Sequence, residues 1–325
     1  MKKTNKIIWA IYLNHRCNLN CEYCYLKSLN ESKRVNLGTL KKIIDRITVL
    51  SACQRRLPEI GFFGKEPLLN FELIKLAVKY IKSKNYKCSL SINTNGILLD
   101  KHKLEFLIEN NFRIVLSSDF IISRKDNIAI FRDYNKDRFH IRTTISSLNL
   151  FMLPKIIEAF YKEGYKKLSI SFDFLDRGLE SISVEEIADK FTESLLVYLN
   201  IIKYDDGFSV PLLERIIQAG SIYSKKVEFN RKPFCHLGEK ILSVDIDGGL
   251  YPCWRFVVDE KYKIGNLLEN IIHRKRYTIN LNYDYIKIKN FDFVCYWAYL
   301  KGGLALKNNL KILQAMEITF RRIGK

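Results

Sequence analysis

The apolar positions of the chain follow two alternating patterns. Short runs rich in Ile, Leu, Phe and Val, without helical period, occur at Ile7–Leu13, Glu59–Gly64, Cys88–Thr94, Phe112–Ser118, His140–Ser146 and Leu168–Phe174. Runs of this length and content predict strands. Between the first two, "NLGTLKKIIDRITVL" sets Leu40, Ile43, Ile44, Ile47 and Leu50 on one helical face, with Asn36 as the N-cap. "FELIKLAVKYIKS", "KHKLEFLIENN", "LPKIIEAFYKEG" and "VEEIADKFTESLLVYL" supply helices for later gaps. Strands joined through helices are expected to be parallel, since a parallel connection needs a crossover of that length. Six such units predict an α/β fold, a partial (β/α)6 TIM-like barrel left open along one edge.

Past about residue 225 the pattern changes. "KILSVDIDGGLYPCW" alternates on both sides of an Asp-Gly-Gly turn and predicts a β-hairpin. "DIDGG" has the flavour of a calcium loop, but no glutamate stands at the closing position, so a hairpin turn is the better reading. The expected organisation is a core barrel over residues 1–225 and a small C-terminal α+β domain over 226–325. No internal repeat or low-complexity linker separates them.

No run approaches the ~20 apolar residues that span a bilayer. The start, "MKKTNKIIWAIYLNHRC", lacks a small-residue cleavage site and runs directly into cysteines, so it reads as a strand rather than a signal peptide, and the chain as cytoplasmic. The 325 residues carry 54 basic and 35 acidic side chains, a formal charge of +19. A field of that sign favours anionic partners, such as an acidic peptide or an acidic redox protein. "HRKR" at 273–276 is the densest patch, but no nucleic-acid fold signature accompanies it.

Eight cysteines in a reducing compartment argue for metal or catalysis rather than disulfides. Cys53 and Cys88 stand alone and read as small hydrophobes. "NHRCNLNCEYCYLK" instead gathers Cys17, Cys21 and Cys24 in a C-x3-C-x2-C pattern without a fourth thiol nearby. Two chemistries suit it. A structural zinc site needs four ligands, and His15 would be the fourth. An iron–sulfur cube held by three thiolates leaves one iron open for a small molecule.

Three further stretches add to the cysteines. "FFGKEPLLN" closes the second predicted strand, "SINTNG" the third and "LSSDF" the fourth. With the cysteine loop placed after the first strand, the chain over roughly residues 7–175 resembles the radical S-adenosylmethionine (radical SAM) enzymes. That resemblance implies a [4Fe–4S] cluster on Cys17, Cys21 and Cys24, with S-adenosylmethionine chelating the open iron. Reduction would then cleave the sulfonium and give a 5′-deoxyadenosyl radical that abstracts hydrogen from a substrate. Gly64, Lys65, Glu66 and Pro67 match the family's Gly-Gly-Glu-Pro motif, whose backbone meets the cofactor's amino group, with Lys65 replacing the second glycine. The same resemblance points to Tyr23 near the adenine, to Asn95, Ser117 and Asp119 for ribose or substrate, and to Arg142 for the cofactor carboxylate.

Late in the chain, "FCHLGEKILSVDIDGGLYPCWRF" followed by "IGN" resembles a reduced SPASM or twitch extension. By that resemblance Cys235, Cys253 and Cys295 would hold one auxiliary iron–sulfur cluster, with His236 or Asp292 available as a fourth ligand. Ala298 stands where a further cysteine is expected. The function implied is maturation of a ribosomally made peptide with an acidic leader, a flavodoxin or ferredoxin supplying electrons. The alternatives are sulfatase maturation, oxidation of a small metabolite, or a non-catalytic metal-binding regulator.

Overall fold

The computed structural model describes residues 5–117, 134–223, 240–272 and 303–323, with Gly238, Cys295, Ala298 and Lys301. In chain order its main elements begin β1 (Lys6–Tyr12), α1 (Leu37–Cys53), β2 (Leu57–Phe63), α2 (Phe71–Ser83), β3 (Ser89–Thr94), α3 (Lys101–Glu109) and β4 (Phe112–Ser117). There follow β5 (Phe139–Ile145), α4 (Leu153–Lys162), β6 (Leu168–Phe172), α5 (Val184–Ile202) and α6 (Pro211–Tyr223). The chain ends with β7 (Ile241–Val244), β8 (Gly249–Tyr251), β9 (Gly265–Asn266), β10 (Ile271–Ile272) and α7 (Gly303–Ile323). All six strands expected from the apolar runs form, each within about two residues of its predicted ends.

The chain forms two compact units, Met1–Val115 with Cys235–Leu281, and Leu116–Phe234 with Asn282–Lys325. In the first, β1, β2 and β3 run parallel, with Trp9 opposite Ile60 and Ile60 opposite Leu90. Trp9, Ala10, Ile11, Tyr12 and Leu13 are all buried, the continuous apolar run of a strand covered on both faces. α1 lays Leu40, Ile43, Ile44 and Ile47 inward. Its start is fixed by the Asn36 side chain, which accepts from the Thr39 N–H at 2.8 Å. Trp9 Nε1 donates to Ser51 Oγ at 3.0 Å and ties that helix to β1.

The edge of β1 that the sequence leaves open is taken by β7, which pairs with it in parallel, Ile8 opposite Ile241 and Ile11 opposite Val244. β7 and β8 form the predicted hairpin, Asp245 N donating to Gly249 O and Gly248 N to Asp245 O. β9 and β10 add antiparallel strands beyond β8. The hairpin read from sequence as the start of a separate C-terminal region thus extends the sheet of the first unit.

In the second unit β5 and β6 pair in parallel, Arg142 opposite Ser169. α5 begins with a full capping box between Ser183 and Glu186. α7 fastens to the segment after β6 through Asn308 Nδ2, which donates to the carbonyls of Phe174 and Asp176. Lys311 Nζ reaches the carbonyls of Leu179 and Glu180, and Thr319 Oγ1 donates to Ala188 O. Among the described residues no helix is long and apolar enough to cross a membrane.

Ile44 lies on the inward face of α1 and is fully buried. Ile44→Ala should lower the free energy of unfolding by about 2–5 kcal/mol, read as an earlier urea midpoint.

Candidate active site

The cysteine loop leaves β1 and closes on its own base. Leu13 N donates to Phe63 O, Val35 N to Leu13 O, and His15 N to Lys33 O, while Asn14 bridges Arg34. Within it the Cys24 N–H donates to Cys21 O and Lys27 N–H to Cys24 O, so the second and third cysteines share a turn. None of the three is in a disulfide, and all are partly buried. The Leu19 N–H points at Cys17 Sγ at 3.4 Å, and Asn95 Nδ2 lies 3.7 Å from the same sulfur. Burial raises the pKa of Cys17 and Cys24, and the charges of neighbouring thiolates push the same way. Three thiolates therefore share this loop favourably only around a cation.

The loop is locked to the end of β2. Glu66 N donates to Arg16 O, and Asn14 Nδ2 donates to Glu66 O at 3.0 Å. Asn14 Oδ1 also accepts from Arg16 N at 2.7 Å. The Glu66 carboxylate is fully buried. One oxygen accepts from Leu68 N at 3.0 Å and from the Thr94 hydroxyl at 2.7 Å; the other accepts from Asn95 N at 2.8 Å. Its side chain joins the ends of β2 and β3, whereas the family motif pointed to the backbone here.

Gly64 has φ +154°, and a Cβ there would sit 2.8 Å from the Asn14 carbonyl oxygen. Only glycine suits this close approach. Lys65 has room: its side chain turns aside to Glu31 Oε1 at 2.9 Å and Leu29 O at 3.5 Å. Asn95 Nδ2 donates to Asn18 Oδ1 at 2.8 Å, which puts the end of β3 against the cysteine loop. Tyr23 is half-buried within that loop. Ser117 ends β4 and Arg142 lies on β5, both in the second unit. Asp119 lies outside the described residues.

His15 is tethered through one ring nitrogen, while its Nδ1 is buried without a hydrogen-bond partner. Its Nε2 donates to Asp245 Oδ1 at 2.7 Å, both groups being largely buried. Among the described residues no three His, Cys, Asp or Glu side chains gather closely enough for one metal ion. Thiolates on a single zinc would lie within about 4 Å of one another, given Zn–S bonds of about 2.3 Å. A cube of four irons holds its ligands further apart, and three cysteines from one loop suit its donor set with one iron left open.

Sequence reasoning missed the polar groups that fasten this loop to the late hairpin. Beside His15–Asp245, the Tyr12 hydroxyl donates to Trp254 O at 2.9 Å and lies 3.4 Å from the Tyr25 hydroxyl. Burial holds the Tyr12 phenol well above its ordinary pKa, with Tyr25 and Cys253 adding to the effect. Trp254 stacks on Phe63 at 6.0 Å, and Arg255 lies over the Tyr25 ring. Cys253 is partly buried beside this contact, and Cys295 is partly buried in the second unit. Cys235, His236 and Asp292 lie outside the described residues.

Comparison with known proteins gives this geometry a family. Residues 11–121, from β1 through the cysteine loop to the end of β4, match the model of the Radical SAM superfamily. The chain carries a radical SAM domain. Enzymes of this family use a [4Fe–4S] cluster and S-adenosylmethionine. The chain is 27% identical to the cysteine-type anaerobic sulfatase-maturating enzyme of Clostridium perfringens (strain ATCC 13124), over 94% of this chain and 90% of that one. Its fold matches the structure of native anSMEcpe with bound AdoMet at TM-score 0.66 and 19% identity, covering 98% of this chain and 99% of that one. It also matches Streptococcus suis SuiB bound to its precursor peptide SuiA, at TM-score 0.64 and 16% identity, over 92% of this chain and 74% of that one. These matches bear out the α/β radical SAM fold.

Glu66→Gln would set an amide NH2 against the Asn95 N–H, donor facing donor in a buried site. The loss expected is about 1–3 kcal/mol of unfolding free energy, measured by urea titration. Thr94→Val, which removes a donor to Glu66 and the acceptor of the Gly96 N–H but sets no donor against another, should cost less.

Proposed function

We propose that this radical SAM enzyme is a maturase acting on a ribosomally made peptide, forming a thioether or carbon–carbon crosslink or epimerising a residue after hydrogen-atom abstraction. The observation that carries this reading is the end-to-end similarity to a maturase, over 94% of this chain and 90% of that relative. The fold shared with SuiB, a protein whose structure holds a precursor peptide, supports the same class of substrate. The net charge of +19 suits an acidic leader. A sulfatase cysteine or serine is the second reading, favoured by the relative's own name.

In this reading Cys17, Cys21 and Cys24 supply three thiolates from one loop. The Leu19 N–H at 3.4 Å steadies the Cys17 sulfur as its negative charge develops. When bound, the cluster supplies the electron that splits S-adenosylmethionine and thereby the hydrogen-abstracting radical. Gly64 lets the 64–67 turn, whose backbone is to meet the cofactor's amino group, pack against Asn14 at the base of the cysteine loop. Glu66 holds that turn in fixed register with Asn95, which faces the loop from β3. Tyr23, Ser117 and Arg142 are assigned to adenine, ribose or substrate, and cofactor carboxylate. Cys235, Cys253 and Cys295 are assigned to an auxiliary cluster in a C-terminal region beginning near residue 226, with the core barrel before it. Electrons come from an acidic flavodoxin or ferredoxin, and the enzyme works in the cytoplasm.

Anaerobic reconstitution tests the metal content: about eight irons per chain are expected for two cubes, and about four would leave only the first. The Cys17, Cys21 and Cys24 triple alanine variant should form no 5′-deoxyadenosine, measured by chromatography after dithionite reduction. Incubation with a peptide encoded beside the gene, and separately with a sulfatase peptide, distinguishes the two substrates by mass change. Modification of neither peptide would defeat the maturase reading.

A further inference from the structure

The second position of the 64–67 turn carries a lysine where the motif has glycine, and its side chain is the most buried ammonium at the cysteine loop. The Lys65 side chain is 6% exposed, whereas its partner Glu31 is 62% exposed. Its Nζ donates to Glu31 Oε1 at 2.9 Å and to the Leu29 carbonyl at 3.5 Å, spanning more than thirty residues of sequence from the end of β2 to the exit of the loop. The ammonium lowers the pKa of the Glu31 carboxyl.

An ion pair with so exposed a carboxylate adds little to stability by itself. Sinking a lysine chain for so small a gain asks for another purpose. A largely buried positive charge is screened far less than a surface one, so its field reaches into the loop while Glu31, out in water, cancels only part of it. A cube held by three thiolates is anionic and gains a further negative charge on reduction. Net charge around such a cluster helps set its potential. Arg16 and Lys27 are exposed on the same loop, and buried Glu66 acts on Cys17 with the opposite sign. Among the described residues Lys65 is therefore the buried cation of this loop.

We propose that Lys65 is a cationic clamp: it pins the exit of the cysteine loop at Leu29 and Glu31 and holds a fixed positive charge on that loop, which makes the cluster easier to reduce. The charge effect rests on the reading of Cys17, Cys21 and Cys24 as cluster ligands, while the pinning does not. Lys65 is a positioning residue in this account and touches no reacting atom.

The test uses the full chain as wild type, Lys65→Met, Lys65→Arg and Glu31→Gln. Hydrogen exchange on the metal-free proteins reads the pinning, with amides of β2 as an internal control. Electron paramagnetic resonance during a redox titration of the reconstituted proteins reads the charge. Lys65→Met should exchange faster over residues 29–33 and show a more negative midpoint potential. Lys65→Arg should keep both close to wild type. Glu31→Gln should loosen residues 29–33 without making the midpoint more negative, which separates charge from tether. Normal iron loading with a midpoint unmoved in Lys65→Met would overturn the clamp and leave the radical reading standing. A wild-type chain that takes up no iron would overturn the cluster reading and the charge effect with it. Unchanged exchange in Lys65→Met would overturn the pinning in either case.

Discussion

A fully buried carboxylate is expensive unless donors surround it. Glu66 meets that demand with the Leu68 and Asn95 backbone N–H groups and the Thr94 hydroxyl. These donors come from the turn after β2 and from the end of β3, so satisfying one charge fixes two strand ends against each other. The backbone of the same residue is held by Asn14 and Arg16, at the mouth of the cysteine loop. Three consecutive strand ends thus converge on one residue. Loss of any donor leaves part of a charge uncompensated. The spacing between the 64–67 turn, Asn95 and Cys17 is accordingly set before any cofactor arrives, as a site that must hold a reactive species in one geometry requires.

The same loop is held from the other side by residues far along the chain. β7 pairs with β1, and this brings Asp245 to His15 and Trp254 to Tyr12. These are buried polar contacts in which each donor finds an acceptor of definite geometry, so they specify position more than they add stability. Cys253 sits next to this junction, and its charge would be felt by the Tyr12 phenol. Cys253 thus lies at the end of a chain of contacts that runs through Trp254, Tyr12 and Tyr25 to the loop of Cys17, Cys21 and Cys24.

Local pattern made most of the elements legible. The strands follow from apolar runs, α1 from the spacing of Leu40, Ile43, Ile44 and Ile47, and its start from Asn36. The three cysteines are legible because ligand spacing is itself local. Contacts between distant segments were not. Nothing in "DIDGG" announces that its first aspartate will meet His15, and nothing in "LYPCW" announces the bond to Tyr12. A parallel pairing such as β1 with β7 has no turn to declare it, unlike the hairpin that follows. Glu66 was legible as part of a motif, but its carboxylate was not legible as a clamp, because the donors that satisfy it belong to β3.

Adjacent positions in one turn show how a motif can lose a residue and keep its shape. At Gly64 the constraint is backbone against backbone: φ is +154°, and any side chain would begin 2.8 Å from the carbonyl of Asn14, a residue whose side chain is bound to Glu66 and Arg16. Relief there would require moving the loop that carries the cysteines. At Lys65 the constraint is only that a side chain find an exit, and the exit leads to Leu29 and Glu31. Substitution at the first position costs the fold of the site, whereas at the second it is free to acquire a task. A glycine pair in a motif is therefore two different requirements, and this chain separates them by keeping the one imposed by sterics and filling the other with charge.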